Sequence, residues 1–187
     1  MTIKSLIALD IETTGLSSDN DKIIEIAAVR FSPKGIEEEF QTLVNPGIQI
    51  PPFITQLTGI SDAMVRGVKI PQIDSAIKDL IDFVKDSPVI GHNVKFDLSF
   101  LRAEGALKKN PAFDTYEMAA VVMPSEGRYN LRALGQVLAV PMRATHRALD
   151  DTKVTQAIYQ IMYKMILDLP LPTLREIVRL SKSTAWD

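Results

Sequence analysis

At 187 residues, with 46% apolar and 24% charged side chains, the chain is long enough to bury about 70% of its unfolded surface in one core, and no window approaches the roughly 20 apolar residues of a membrane span. The absence of cysteine excludes disulfides, thiolate metal sites and a thiol nucleophile, so any metal must be held by oxygen or imidazole. A formal net charge of -2, from 21 basic and 23 acidic residues, argues against a strong non-specific grip on nucleic acid, which relies on neutralising phosphates. The first element expected is a buried strand over 3–12, which reaches Asp10 too early for a signal peptide with a small-residue cleavage site. A cytoplasmic protein with no membrane segment is therefore expected. A second strand is read over 22–32 and a third in "IEEEFQTLVN" after "PKG", the three forming an antiparallel meander. The Pro-rich "NPGIQIPP" leads into short helical pieces around "LTGI" (57–60). A longer helix follows Pro71, with Ile73, Ile77, Leu80, Ile81 and Val84 spaced as one apolar stripe. "SPVIGHN" reads as a short buried strand, "VKFDLSFLRAE" as a helix capped by Gly105, and "AFDTYEMAAVVM" as a last strand running into a helix. "NLRALGQVLAV" gives another helix, and a final long one covers about 147–166. Three meandering strands followed by helix–strand alternation predict an α/β fold with a mixed sheet and helices packed on it.

Three clusters of residues carry chemistry. Asp10 and Glu12 end the first strand on one face, about 7 Å apart along it, too far to satisfy each other, so a cation is expected between them unless the strand simply emerges into solvent. The Thr13-Thr14-Gly15 turn beyond them leaves backbone N–H groups free for a phosphate or a nucleotide sugar. Asp97 shares a helix face with Val94, Phe100 and Leu101, which directs its carboxylate towards the core. A buried carboxylate needs a metal, a cationic side chain or several N–H donors, and helical geometry aims its neighbours Lys95 and Arg102 elsewhere. Beside it, Asn93 suits a helix N-cap and His92 a hydrogen-bonded structural role. In "THRALDDTKVTQAIYQIM" the apolar stripe Val154, Ile158, Ile161, Met162 and Met165 has both Asp150 and Asp151 at its borders, and periodicity does not choose between them. His146 lies about 140° from Asp151 on an ideal helix and is expected in the entering loop, free to swing. A loop imidazole suits a general base, or is merely exposed beside a helix N-terminus rich in acids.

In order, Asp-x-Glu at a strand end, Asp97 in "HNVKFD", and His146 and Asp151 in "HRALDD" resemble the DEDDh family of 3'-5' exonucleases, over residues 6 to about 160. "LTGI" and "YNLRALGQVLAV" also resemble the proofreading epsilon subunits of bacterial DNA polymerase III. The resemblance implies a ribonuclease-H-like mixed five-stranded sheet, an exonuclease domain over 1–168 and a C-terminal helical extension or linker over 169–187. It implies that Asp10, Glu12, Asp97 and Asp151 hold two Mg²⁺ or Mn²⁺ ions, that His146 is the base, and that Asp150 is left as a helix-terminal acid. It further implies that Thr13, Leu57, Thr58, Asn93 and Phe96 border the terminal nucleotide, with Leu57 and Phe96 as stacking or wedging surfaces. The activity so implied is release of nucleoside 5'-monophosphates from a 3' end of DNA, of proofreading or repair type. The nucleic-acid partner would be single-stranded DNA in preference, with a polymerase or helicase subunit or fused domain beside it. The alternatives are a 3'-5' exoribonuclease acting on short RNA, and a non-catalytic binding module of the same fold. "LDIETTG" also resembles the Asp-x-Asp-x-Thr strand end of haloacid-dehalogenase-type phosphatases, but Glu12 departs from that pattern and no matching lysine motif follows.

Overall fold

The computed structural model describes residues 5–141 and 144–181. Strands β1 (Leu6–Thr13), β2 (Ile23–Ser32) and β3 (Gly35–Leu43) form the expected antiparallel meander. Helices α1 (Pro52–Thr58), α2 (Asp62–Val65) and α3 (Ile73–Val84) follow, then β4 (Val89–Gly91), α4 (Val94–Ala103), β5 (Ala112–Asp114) and α5 (Thr115–Val122). The chain closes with α6 (Leu131–Val137), α7 (Ala148–Leu167) and α8 (Leu171–Ser181). The five strands lie in the order β3-β2-β1-β4-β5, with β4 and β5 parallel to β1. A mixed sheet is what results when a meander is extended through crossover helices.

β1 and β2 are apolar on both faces because both faces are covered. Ile7, Leu9, Ile11, Ile26 and Ala28 pack with α3 and α4 on one side, while Ala8, Val29, Phe31 and Ile90 meet Tyr159 of α7 on the other. β3 is mostly exposed, as a polar edge strand should be. Within α3 the buried line runs through Ile77, Leu80 and Val84, whereas Ile81, expected in that stripe, is 41% exposed. One residue beyond Leu80 is 100° round the helix, and the sheet covers a narrower arc than the sequence suggested. α8 lies within the stretch 169–187 that the sequence left as a helical extension or linker. The beginning of the predicted first strand and the end of the 169–187 stretch lie outside the described residues.

The junction between β4 and α4 corrects another expectation. Asn93 stands at the N-cap position of α4, but its backbone is left-handed (φ 61°, ψ 46°) and its side chain caps nothing. Asn tolerates this conformation, which turns the chain sharply out of β4. Asp114 does the capping from the end of β5. Its carboxylate accepts from the amides of Asn93 and Val94 at 2.9 Å each and from Tyr116 at 2.8 Å, so one side chain serves the starts of both α4 and α5. Asp114→Ala is expected to lower unfolding free energy by about 2–3 kcal/mol, more than a single lost cap, because three donors lose their acceptor. Urea denaturation of the two proteins, with an unchanged m value, would check this.

Candidate active site

Alternation along β1 places Ala8, Asp10 and Glu12 on one face, and Ala8 packs in the cluster of Tyr159, so this is the face that α7 covers. The first turn of α7 carries Asp151, buried at 7% exposure, over the same end of the sheet. Asp97 arrives from the other side of the sheet. β4 pairs with β1 only at Ile7 and Ala8 and stops at Gly91, so the first turn of α4 fills the space beyond it. There the Ile11 amide donates to Asp97 Oδ1 at 3.1 Å. Lys95 is drawn instead to Glu117, at 3.8 Å, as the helix geometry requires.

His146 stands exposed in the loop before α7, with a left-handed backbone (φ 58°). Its neighbours are tied on both sides. The Thr145 amide donates to Asp151 Oδ1 (2.7 Å) and the Thr145 hydroxyl to Asp150 Oδ2 (2.7 Å), while Arg147 Nη2 and Nε bind Glu25 at 2.7 and 3.2 Å. The free swing expected of this loop is therefore confined to the imidazole side chain. Asp150 and Asp151, which periodicity left undecided, are now distinguished: Asp150 is exposed and ties Thr145, and Asp151 points inwards. Glu12, His146 and Asp151 each present a possible ligand atom, all within 4.8 Å of one another.

The carboxyls of this cluster are short of positive charge. Burial and then Asp97, Glu12, Asp151 and Glu25 hold Asp10 well above the usual carboxylate range. Glu12 is pushed up to about 8 by burial and then by Asp151, Glu25 and Asp97, with Arg147 opposing. Asp97 is also pushed up to about 8, by burial first, with the Ile11 amide and its own backbone amide opposing. Burial raises Asp151 too, with the Thr145 amide and His146 opposing. Four half-buried or buried acids facing one another can all ionise together only with cations among them, and an all-oxygen set with one imidazole fits hard divalent ions such as Mg²⁺ or Mn²⁺.

That electrostatics has a measurable consequence. A carboxyl raised in the folded state holds a proton that the unfolded chain releases, so its contribution to stability is full below the unfolded value and lost as pH rises through the folded one. For Glu12 that window runs from its ordinary 4.5 to about 8. In EDTA, stability to urea is expected to fall between pH 5 and pH 8. Added Mn²⁺ or Mg²⁺ should restore it at pH 8 and have little effect at pH 5, where protons occupy the site. Stability that is flat across this range, with no metal response, would contradict the reading.

The family model described as "Exonuclease" matches residues 7–159. The chain belongs to the exonuclease family. It is 36% identical over 175 residues to the PolC-type DNA polymerase III of Caldanaerobacter subterraneus, covering 91% of this chain but 12% of that one. It is 40% identical over 162 residues to the DNA polymerase III epsilon subunit of Treponema pallidum, covering 83% of this chain and 74% of that one. The solved structure of Exonuclease X in complex with 5' overhanging duplex DNA superposes with a TM-score of 0.69 at 27% identity, covering 85% of this chain and 91% of that one. The ribonuclease-H-like sheet expected from the sequence is thus the architecture of known exonucleases.

In this exonuclease domain the residues expected to border a nucleotide are placed unevenly. Thr13 and Thr58 are buried and their hydroxyls already serve the backbone, Thr13 donating to the Gly15 carbonyl and Thr58 to that of Ile54. Leu57 is 40% exposed on α1, which packs through Ile54 beside Ile24 near the start of β2. Asn93 is exposed at the start of α4, and Phe96 is half-buried against Phe100 with ring centroids 5.1 Å apart. His92 has the structural role expected of it, its Nδ1 lying 2.9 Å from Thr115 Oγ1. Two groups were missed. Asp21 holds the loop after Glu12, accepting from the Ser17 amide and the Thr14 hydroxyl so closely that a side chain on Gly15 would meet its carboxylate at 2.5 Å. Glu25, wholly buried and directly opposite Glu12 in the β1–β2 ladder, is bound by Arg147. The one signal for it was a single charge in the otherwise apolar run "IIEIAAV".

Proposed function

We propose that residues 1–168 form a divalent-metal-dependent 3'-5' exonuclease domain that trims single-stranded DNA, with 169–187 as a helical extension towards a polymerase or another nucleic-acid enzyme. The observation that carries this reading is the convergence of Asp10, Glu12, Asp97, Asp151 and His146 at one end of β1, from β1, α4, α7 and the loop before α7. The four carboxylates would hold two Mg²⁺ or Mn²⁺ ions, which when bound activate water and neutralise charge developing on the phosphate. His146, exposed beside Glu12 and Asp151, would take the proton from the attacking water at its imidazole nitrogen; the water oxygen bonds to the terminal phosphorus as the P–O3' bond breaks in line, the 3'-oxygen takes a proton from solvent to leave a 3'-hydroxyl on the shortened strand, and a nucleoside 5'-monophosphate is released. Leu57 and Phe96 border the terminal base, and Asn93 the sugar–phosphate next to it. Preference for DNA is supported by the 40% identity to an epsilon subunit of DNA polymerase III, and a polymerase partner by the match within a PolC-type enzyme. With a net charge of -2 over its 187 residues, the chain has little grip of its own on a polyanion, and a partner would supply it.

The test is a nuclease assay on 5'-labelled single-stranded DNA and RNA of one sequence, in Mg²⁺, Mn²⁺ or EDTA. A ladder shortening from the 3' end of DNA, faster than that of RNA and abolished by EDTA, is the expected result. Faster shortening of RNA would reassign the substrate, and intact strands in every metal would leave a binding module.

A further inference from the structure

We infer that Glu25 and Arg147 are a positioning pair that indexes the start of α7, and with it His146 and Asp151, to the strand pair carrying Glu12. The inference rests on the exonuclease reading above and identifies two residues outside its set of metal-binding acids and base.

The starting point is an apparent conflict in the sheet. Glu12 and Glu25 are direct partners across β1 and β2, so both carboxylates project from the same face at neighbouring positions. Like charges placed directly opposite destabilise an antiparallel pair, and Glu25 is buried completely. The two acids are nevertheless treated differently. Glu25 is provided by the protein with four donors for its two oxygens: Arg147 Nη2 (2.7 Å) and Gln41 Nε2 (2.9 Å) on Oε1, and Arg147 Nε (3.2 Å) and the Ala148 amide (2.9 Å) on Oε2. No further acceptor capacity is left over for an ion. Glu12, by contrast, is left facing acids. The sheet therefore sorts two adjacent glutamates into one completed by the protein and one left open at the site.

Completion of Glu25 has a geometric effect. Arg147 occupies the N-cap position of α7 and its own side chain makes no cap bond, so the first free amide of the helix, Ala148, is capped from β2 instead. A carboxylate 123 positions away in sequence takes the role that a Ser or Asp at the cap would fill. The bidentate guanidinium fixes direction as well as distance. His146 lies between this anchor and the Thr145 tie to Asp150 and Asp151, and its left-handed backbone is held from both sides. The close approach of Glu12, His146 and Asp151 thus depends on a bond that none of the three makes. Displacement of a reacting group by about 1 Å can cost about 100-fold in rate.

The experiment compares Glu25→Gln, Arg147→Met, Arg147→Lys and the double variant Glu25→Gln/Arg147→Met with the native chain, at 20 °C and below any melting transition. Lys153→Met serves as control: it removes a second ion pair joining α7 to the sheet, Lys153 to Glu39 at 2.9 Å, away from the site. Two quantities are read, Mn²⁺ affinity by titration of thermal stability, and kcat and KM on single-stranded DNA. Glu25→Gln and Arg147→Met are expected to weaken Mn²⁺ binding about tenfold and to lower kcat about 10- to 100-fold, with KM within about threefold. Arg147→Lys should recover part of both losses, the double variant should be no worse than the worse single, and Lys153→Met should leave both unchanged. A lower melting temperature with unaltered kcat and Mn²⁺ affinity would reduce the pair to a structural role and overturn the inference. A raised KM with unaltered kcat would also overturn it, showing that Arg147, 35% exposed, touches the substrate instead. If the native chain binds Mn²⁺ but hydrolyses nothing, the exonuclease reading fails, and the Mn²⁺ affinities still decide the role of the pair.

Discussion

Glu12→Gln is expected to abolish hydrolysis while making the metal-free protein more stable at pH 8. The two effects have one cause. Glu12 is held up to about 8 by burial and by Asp151, Glu25 and Asp97, so at that pH the folded chain is forced towards a charge it accommodates poorly without a cation. Glutamine keeps the shape and the hydrogen-bonding capacity and removes the charge. A gain of about 1 kcal/mol, or about 2–4 °C in Tm for a domain of this size, is expected in EDTA at pH 8. The gain should shrink as pH falls towards 4.5 and disappear below it, where the native carboxyl is neutral in both folded and unfolded chains. With metal present the order reverses, because the native site gains a ligand that the variant lacks, and Mn²⁺ should stabilise the native chain far more than the variant. Loss of several kcal/mol of charge stabilisation at the phosphate corresponds to a kcat lower by about 10³-fold or more. Thermal melts in EDTA and in Mn²⁺, set beside a single-turnover assay, give both signs in one set of samples. A variant that is less stable without metal, or that retains turnover, would contradict the placement of Glu12 as a ligand. Such opposed effects on stability and activity mark a residue kept for function.

The sequence carried the ends of this argument better than its connections. The buried run into Asp10, the helix period that turns Asp97 inwards and the apolar stripe of α7 are local signals, each set by a period of 2 or 3.6 residues. What holds them in place is not local. Glu25 meets Arg147 across 122 residues and Asp114 caps a helix that starts 20 residues earlier, and no spacing in the chain announces either bond. Asn93 looked like the cap because asparagine is a good one, yet a carboxylate on the adjoining strand was nearer the amides and the stronger acceptor. Thr58 was named with Leu57 from the family resemblance, and no local pattern in the sequence told that its hydroxyl donates to the Ile54 carbonyl of its own helix. The acids and the histidine of the candidate site were therefore legible from residue type and order, and their supports were legible only from the fold, since a support is chosen by what the sheet brings beside it.

His146→Asn is expected to lower kcat by about 10²- to 10⁴-fold, the usual contribution of a general base, without loss of metal-dependent stabilisation. Asparagine is the informative substitution here. The backbone at 146 is left-handed, a conformation that asparagine accepts readily and alanine at a cost of about 1–2 kcal/mol, so the loop should keep its course between the Thr145 and Arg147 anchors. Any loss of activity then reports the imidazole. The competing role for this side chain is as a metal ligand, since its ring lies within 4.8 Å of possible ligand atoms on Glu12 and Asp151. The two roles separate in the melts. A base that sits beside the ions leaves the four carboxylates to bind them, so the rise in Tm on adding Mn²⁺ should survive in His146→Asn and vanish in Glu12→Gln. A ligand would make the two variants alike. Exposure of the ring favours the base, because it must accept a proton from one water and release it to another in every turnover, which an imidazole enclosed in a coordination shell could not do.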